Sequence, residues 1–295
     1  MAWVEEAIDW LRAAQRPNGA WGYGSSPSQG EPAVEPTALA AMALGAHGCQ
    51  SGTALDWLTE MQRSDGGFPV GPRHAESNWA TSPAALCLLS GGRSESAEKA
   101  VDWLLADTAY SFPGLPGSPY GYDTSLSAWS WTSGDFSWVE PTCLAMLAIR
   151  RSSRAHDARV DQGCRLLADR VTSDGDASGW NYGEPRVLGV NLVPAVVPTA
   201  LAVLALRGLG PDLTAPLALL RSCQAGMSSL YSVGWAANAL ASAEDLGEAW
   251  QGALATAWSA TGGSSAARAA MRTPMNAAVM LLAIARPERN PFVVR

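Results

Sequence analysis

The chain has 295 residues, of which 47% are hydrophobic and 16% are charged, and its formal net charge is −7. This composition is typical of a folded protein, and the acidic balance without a basic cluster argues against a nucleic-acid partner. The longest apolar run, residues 192–206, contains two prolines and is short for a membrane span, and the first residues lack the features of a signal peptide. We therefore expect a cytoplasmic protein, and nothing in the sequence supports membrane association.

Six segments carry apolar residues at helical spacing with polar residues between them, which predicts helices with one exposed side. In the first, residues 3–14, Trp3, Ile8 and Leu11 fall on one side and Glu5 on the other. The sequence Asp-Trp-Leu recurs in the first three segments, around residues 9, 56 and 102. The later segments cover residues 160–171, 215–223 and 246–258.

Each of these segments is followed by one that is apolar on nearly every side, which is typical of a buried helix. Residues 34–44 and 138–149 both contain Val-Glu-Pro-Thr, and residues 197–206 begin Val-Pro-Thr. Weaker copies cover residues 82–89, 273–282 and 232–240, the last without proline. Proline favours the first position of a helix, because its missing N–H would have no partner there.

The six copies are spaced 35 to 58 residues apart when counted from one helix start to the next. Repeated helical hairpins bury their apolar faces by stacking side by side, and six of them can close into a ring. We therefore predict an all-α fold, an α6/α6 toroid or alpha-alpha barrel, that forms a single domain over residues 1–295. The buried helices would form the inner circle, and the loops before them would emerge at one end.

The five cysteines and three histidines are scattered along the chain. No cysteine pair has C-x-x-C spacing and no H-x-x-x-H motif occurs, so the common sequence signals of a zinc or redox site are missing. We predict no bound metal and no cofactor.

The loops between outer and inner helices repeat an order of glutamine, turn, glycine and aromatic residue, as in Gln15, Gly19 and Trp21. This order resembles the repeat of squalene–hopene cyclases and other class II terpene cyclases, as does the tract of residues 179–183 that leads to Pro198-Thr199. The wider superfamily includes the β-subunits of protein prenyltransferases. The resemblance covers most of the chain and implies a toroid with an isoprenoid or other apolar small molecule as its partner. It also implies that the repeat is a structural staple between outer helix, loop and neighbouring repeat.

Two features depart from that family. A squalene cyclase contains two such helical domains, whereas this chain has the length for one. The family's acid motif, D-x-D-D before an inner helix, is missing, and Glu35 and Glu140 stand in the position of its proton-donating aspartate. Each glutamate is either a general acid or base at the ring mouth or only a carboxylate stabilised by the helix dipole. Asp123, in the long loop of residues 109–137, is a further candidate acid, although loop aspartates usually form turns.

Aromatic and amide side chains near the inner-helix starts are candidates for substrate binding. Aromatic faces shelter carbocations and hold apolar chains. Buried amides need hydrogen-bond partners, which are either a neighbouring helix or a ligand. The candidates are Trp79, Trp131, Trp138, Trp180, Tyr182, Asn238 and Asn276. Trp180 is also a candidate staple between repeats.

These features predict an enzyme that acts on an isoprenoid or other apolar substrate in a central cavity, by acid-initiated cyclisation or isomerisation. The missing acid motif keeps two alternatives open. One is a ring that binds a lipid or peptide without chemistry. The other is a protein-interaction ring like the prenyltransferase β-subunits.

Overall fold

The structure is a computed structural model that describes residues 1–114, 120–226, 229–262 and 271–294. Over these residues the chain is mostly helical, with twelve α-helices. They alternate along the chain between an outer and an inner type, as the sequence predicts. The outer helices are α1 (Ala2–Ala13), α3 (Gly52–Met61), α5 (Ser94–Ala106), α7 (Ala158–Asp169), α9 (Thr214–Ser222) and α11 (Glu248–Ala260). The inner helices are α2 (Val34–Ala46), α4 (Thr81–Ser90), α6 (Val139–Arg151), α8 (Val196–Leu206), α10 (Leu230–Ala243) and α12 (Pro274–Ala283).

The two types of helix differ in how much of their surface is buried. In α2 every residue except Gly45 is buried, and in α8 every residue from Val197 to Leu206 is buried. The outer helix α1 buries only Trp3, Val4, Ala7 and Leu11. The uniform hydrophobicity of the inner segments therefore reflects neighbours on all sides, and the periodicity of the outer segments reflects a single packed face.

Contacts between the inner helices run in a closed cycle. Helix α2 contacts α4, α4 contacts α6, α6 contacts α8, α8 contacts α10, α10 contacts α12, and α12 contacts α2. The outer helices pack around this cycle, and α1 contacts both α11 and α12. Such an order of contacts is the one that an α6/α6 toroid requires.

Four short strands form two antiparallel hairpins between α7 and α8. Strand β1 (Val171–Asp174) pairs with β2 (Ala177–Trp180), and β3 (Arg186–Val187) pairs with β4 (Val190–Asn191). A short 3-10 turn, Cys223–Gly226, follows α9. The hairpins lie in a loop, so the described residues form no sheet core. Asp174 ends β1 and Asp176 lies in the turn of the first hairpin, and both come well before α8 begins at Val196.

The prediction that the repeated proline occupies the first helical position is wrong for the two clearest repeats. Helix α2 begins at Val34 and α6 at Val139, so Pro36 and Pro141 are third in their helices. A proline is tolerated there because the first four N–H groups of a helix have no intrahelical acceptor. The shift matters for function, since it moves Glu35 and Glu140 from the residue before the helix into its first turn.

The end of the chain packs against the inner helices. Asn290 donates to Leu282 O of α12 at 2.9 Å, and the Phe292 ring lies 4.9 Å from the Trp235 ring of α10. Arg151, the last residue of α6, donates to Val293 O at 3.2 Å. The segment thus contacts three inner helices: α6 and α12 near their last residues, and α10 at Trp235 in its first half. No described helix is long and apolar enough to cross a membrane.

Candidate functional site

A threonine in the first turn of an inner helix holds each of four loops. Thr37 Oγ1 accepts from Trp21 N at 2.9 Å and donates to Ala33 O at 2.7 Å. The same bond joins Phe68 to Thr81, Trp129 to Thr142 and Trp180 to Thr199. Because a buried N–H without a partner is costly, these bonds fix the loops against the inner-helix starts.

The indoles of three of these loop residues reach back to the outer helix. Trp21 Nε1 donates to Leu11 O, Trp129 Nε1 to Leu104 O and Trp180 Nε1 to Leu167 O, at 2.8, 2.8 and 2.7 Å. Each indole therefore joins the end of an outer helix to the start of the next inner one. This is the staple that the resemblance implies for the repeat.

The glutamine and glycine of the motif reach the neighbouring repeat. Gln62 Nε2 donates to Gly66 O at 2.9 Å and to Ser96 O, in α5, at 2.8 Å. Gly66 has φ +90°, and a Cβ there would lie 2.5 Å from Lys99 O. Only glycine allows this close approach, so the motif positions consecutive outer helices as well as the loops.

Glu35 is a buried carboxylic acid in the first turn of α2. Its Oε2 accepts a hydrogen bond from Tyr23 Oη at 3.0 Å. Burial raises the pKa of Glu35 to about 8, the Tyr23 hydrogen bond opposes this shift, and the charge of Glu140 adds to it. Glu35 is therefore largely protonated at neutral pH, which suits a proton donor.

Glu140, in the first turn of α6, is half-buried, and burial raises its pKa to about 7. The two predicted acids act on each other electrostatically, since the charge of Glu140 raises the pKa of Glu35. Both pKa values are raised from 4.5 toward or above neutrality, to about 8 for Glu35 and about 7 for Glu140. Both carboxyl groups can therefore exchange protons near neutral pH, which general acid–base chemistry requires.

Tyr231 interacts electrostatically with both glutamates and was not among the residues predicted from the sequence. Burial raises its pKa well above the usual value, and the charges of Glu35, Glu140 and Tyr23 raise it further. Tyr231 is the second residue of α10, as Glu35 is of α2 and Glu140 of α6. These three helices alternate around the cycle of inner-helix contacts. We call Tyr23, Glu35, Glu140 and Tyr231 the acid cluster.

The signal for Tyr231 was present but misaligned. The repeat of α10 has no proline, and Ser232 then takes the place of the glutamates. The helix begins earlier, at Leu230, and Ser229 Oγ caps it by accepting from Ser232 N. The N-cap serine, rather than the position that corresponds to proline in other repeats, therefore marks where α10 begins.

Two of the predicted aromatic residues pack together near the starts of α4 and α6. The rings of Trp79 and Trp131 are 5.0 Å apart at 80° to each other, and both side chains are half-buried. Trp138 directly precedes α6, and its Nε1 donates to Asp135 Oδ2 at 3.3 Å. Tyr182 is 49% exposed, and burial together with the charge of Glu140 raises its pKa.

Three predicted site residues have structural partners, and their roles in a site stay predictions. Trp180 is buried and forms the staple described above. Asn238 is fully buried in α10, donates to Gly234 O and Val279 O at 2.8 Å each, and accepts from Asn290 Nδ2 at 2.9 Å. Asp123 is exposed and its Oδ1 accepts from Ser125 N at 2.9 Å, so it forms a loop turn.

Asn276 lies in the first turn of α12, at the same end as the acid cluster. Its Nδ2 donates to Met271 O at 2.7 Å, and its side chain is half-buried. Its role as a substrate-binding residue stays a prediction. Among the described residues, no three His, Cys, Asp or Glu side chains come together as a group that could hold a metal ion.

Comparisons with known proteins bear on the fold. Neither a model of a known protein family nor a curated protein sequence matches this chain. Solved structures do match. The ligand-free type II terpene cyclase MstE from Scytonema aligns with a TM-score of 0.61 at 13% identity, covering 88% of this chain and 78% of MstE. The fold is similar to that of type II terpene cyclases.

Two further solved structures align with this chain. A variant of MstE in complex with its substrate, geranylgeranyl dihydroxybenzoate, aligns with a TM-score of 0.58 at 15% identity, covering 88% of this chain and 76% of that one. An alpha-amylase from Clostridium perfringens aligns with a TM-score of 0.64 at 11% identity, covering 95% of this chain and 96% of that one. The predicted resemblance to terpene cyclases is therefore confirmed for the fold, while the reaction has to be argued from the site.

Proposed function

We propose that this chain is a single α6/α6 toroid and a terpene-cyclase-like enzyme. It acts on an isoprenoid or similar apolar substrate by acid-initiated cyclisation or isomerisation. The observation that carries the proposal is the acid cluster, in which equivalent positions of three alternating inner helices interact electrostatically. The likeness in fold to MstE, which binds an isoprenoid-bearing substrate, supports the substrate class.

The proposed reaction adds and removes one proton, so the product is an isomer of the substrate. Glu35 in its protonated form gives a proton to an alkene carbon, and the π electrons form the new C–H bond and leave a carbocation. In a cyclisation the π electrons of a second alkene of the substrate then attack this cation and form a C–C bond, which moves the cation along the chain. In either reaction Glu140 in its ionised form takes a proton from the carbon beside the cation, and the electrons of that C–H bond form the new C=C bond. Proton exchange with water returns both carboxyl groups to their starting states. The Tyr23 hydroxyl, which already donates to Glu35, stabilises the carboxylate that the first step leaves behind.

The raised pKa values constrain which alkenes can react. A carboxylic acid with a pKa of about 8 is protonated at neutral pH but is a weak donor toward an isolated alkene. The site therefore suits an activated alkene, whose carbocation is allylic or stabilised by a neighbouring oxygen or ring. Trp79 and Trp131, which pack on each other near the starts of α4 and α6, are the residues we propose as aromatic faces for such a cation.

The test is conversion of prenyl substrates to products of unchanged mass, followed by gas chromatography and mass spectrometry. β-Farnesene, whose conjugated diene gives an allylic cation on protonation, and squalene, whose alkenes are isolated, are offered to the wild type and to Glu35→Gln and Glu140→Gln. We expect the wild type to convert the diene in preference to squalene, and both variants to lose this turnover at unchanged melting temperature. Turnover that survives both substitutions would refute the assignment. Binding without turnover in any protein would favour a lipid-binding ring.

A second candidate is glycoside hydrolysis, which also uses two carboxyl groups, one as general acid and the other as base or nucleophile. The pair Glu35 and Glu140 favours it, and so does the likeness in fold to an alpha-amylase along 95% of this chain. Release of reducing sugar from starch or maltooligosaccharides, lost in Glu35→Gln, would select this function instead.

A further inference from the structure

An aromatic cavity lies beside the start of α6, apart from the acid cluster. It has a volume of about 250 Å³. Aromatic rings and two charged side chains line it: Tyr110, Tyr120, Tyr122, Phe136 and Trp138, with Arg170 and Glu184. We call it the aromatic pocket. We propose that it binds the head group of the substrate, and that this head group is an uncharged aromatic ring with a hydroxyl. The inference rests on the proposed function, because it concerns the same substrate.

The rings of the aromatic pocket stand at steep angles to one another. Tyr110 and Phe136 have ring centroids 5.4 Å apart at 79°, and Tyr120 and Tyr122 have centroids 5.6 Å apart at 55°. At these distances the paired rings contact each other, so the wall of the aromatic pocket presents both ring edges and ring faces. A flat ring that enters the pocket meets edges and faces, which are the favoured contacts between aromatic rings.

The aromatic pocket also exposes side chains that a protein core would bury. Tyr110 is 53% exposed and Phe136 is 41% exposed, and both line the same cavity. Large aromatic side chains exposed side by side around a cavity are typical of a ligand site. The two charged side chains in the wall also distinguish this pocket from a packing gap in the apolar core.

The charges in the wall favour an uncharged ligand. The Arg170 guanidinium lies 3.8 Å from the Tyr122 ring centroid, where it would repel a cationic head group. Arg170 is also ion-paired with Asp169, and its side chain is only 5% exposed. An anionic head group would therefore have to compete with Asp169 for this arginine.

Glu184 provides the polar contact. Its Oε1 accepts from Tyr122 Oη at 3.3 Å, and its half-buried carboxylate lines the aromatic pocket. A carboxylate has about four acceptor sites, so Glu184 retains capacity for a second donor. A phenolic hydroxyl on the ligand is such a donor, and its bond to an ionised acceptor is stronger than one between neutral groups.

Trp138 connects the aromatic pocket to the acid cluster. It lines the pocket and directly precedes α6, two residues before Glu140. A Cβ on Gly183 would lie 2.9 Å from the Trp138 ring, and Val139 N donates to Tyr182 O at 2.9 Å. The loop therefore packs directly on the helix start, and a prenyl chain attached to a head group in the pocket would run past Trp138 toward Glu140.

The test is isothermal titration calorimetry of the full chain with four probes that share a farnesyl chain. The probes are farnesyl hydroquinone, its dimethyl ether, farnesol, and a farnesyl chain with a trimethylammonium head. The variants are Phe136→Ala and Glu184→Gln. The control is Leu188→Ala, because Leu188 is 88% exposed and does not line the aromatic pocket.

We expect farnesyl hydroquinone to bind at least about tenfold more tightly than farnesol. Phe136→Ala should remove most of this ratio and leave farnesol binding unchanged. Glu184→Gln should reduce the preference for hydroquinone over its dimethyl ether, and Leu188→Ala should change neither. Equal binding of farnesol, preference for the ammonium probe, or no binding of any probe would overturn the inference.

Failure of this inference is distinguishable from failure of the proposed function. Glu35→Gln should abolish turnover and preserve the ratio between farnesyl hydroquinone and farnesol. If the ratio is absent while Glu35-dependent turnover persists, the head-group inference alone is wrong. If the ratio is present without turnover in the wild type, the reaction alone is wrong.

Discussion

Tyr23 Oη lies 3.0 Å from Glu35 Oε2, and this contact joins a loop residue to the first turn of α2. The phenol donates to the carboxyl group, so it opposes the rise in the pKa of Glu35 that burial causes. Burial and the charge of Glu35 in turn raise the pKa of Tyr23. Both partners therefore keep their protons up to a pH near the raised pKa of Glu35. The pair becomes charged when Glu35 loses its proton.

Glu35 should make the stability of the protein depend on pH. Its pKa is about 8 in the folded chain against 4.5 in the ordinary state, so the folded chain binds more protons between these values. Stability should therefore fall as pH rises through this window, by at most about 1.4 kcal/mol per pH unit from this group. The free energy of unfolding, measured by urea denaturation from pH 5 to 8, should fall less steeply with pH in Glu35→Gln than in the wild type. Glu5→Gln, at an exposed position of α1, should show the same pH dependence as the wild type. Equal pH dependence in all three proteins would contradict the raised pKa of Glu35.

Tyr231→Phe tests the residue that the sequence missed. If its hydroxyl acts with Glu35 and Glu140, turnover should fall by about 10²-fold, since a proton-transfer group contributes at least that much. The melting temperature should remain near that of the wild type, because the ring and its packing are kept. Ser242→Ala, which removes a hydroxyl near the opposite end of the same helix, α10, is the matched control. Equal activity of both variants would remove Tyr231 from the site.

Trp180→Phe should mainly lower the free energy of unfolding, whereas Trp79→Phe should mainly weaken ligand binding. Trp180 donates from a buried indole to Leu167 O, so its loss should cost about 1–3 kcal/mol of unfolding free energy. Trp79 is half-buried and packs on Trp131, so its replacement should cost less than about 1 kcal/mol and weaken ligand binding instead. Chemical denaturation and titration with farnesol measure the two effects. A stable Trp180→Phe protein would show that the staple contributes little.

Thr37→Val should destabilise the fold although the two side chains have the same shape. The valine leaves Trp21 N without its acceptor in a buried position, at a cost of about 1–3 kcal/mol. Thr37→Ser keeps the hydroxyl and should recover most of this loss. The midpoint of urea denaturation compares the three proteins, and similar midpoints for valine and serine would exclude the hydrogen bond as the cause.

Asn238 and Asn290 should behave as one unit. Asn238→Leu removes both donors of the amide and leaves Asn290 Nδ2 with only Leu282 O. We expect a loss of about 3 kcal/mol for either Asn238→Leu or Asn290→Leu, and much less than the sum for the double variant. Denaturation of the four proteins gives the coupling energy. Additive losses would show that the two amides act independently.

Hydrophobic patterning in the sequence was enough to predict the twelve helices and their alternation. Residues 34–44 are apolar on every side, and only a helix surrounded by neighbours can satisfy such a pattern. Residues 3–14 alternate with helical period, and only a helix with one covered face matches that. The same repetition predicted the cyclic packing, because each hairpin is incomplete without the next.

The candidate acids could also be identified from the sequence, since only two of the six repeats carry glutamate before Pro-Thr. Their protonation could not, because the pKa of Glu35 depends on burial and on Glu140, which is more than a hundred residues away along the chain. The cluster with Tyr231 was likewise invisible, since it exists only when α2, α6 and α10 pack in one cycle.

The tertiary structure also separated residues that look alike in the sequence. Trp79 and Trp180 both follow glycine-rich or polar loops, but only Trp180 has its indole aimed at an outer-helix carbonyl. Asn238 interrupts an apolar helix as a binding residue would, yet its partners come from α12 and the end of the chain. The local sequence determined which segments become helices, because their apolar residues recur at the spacing of half-buried or fully buried helices. The long-range packing alone decided which side chains meet, because hydrogen bonds and electrostatic contacts depend on distances between residues that are far apart in sequence.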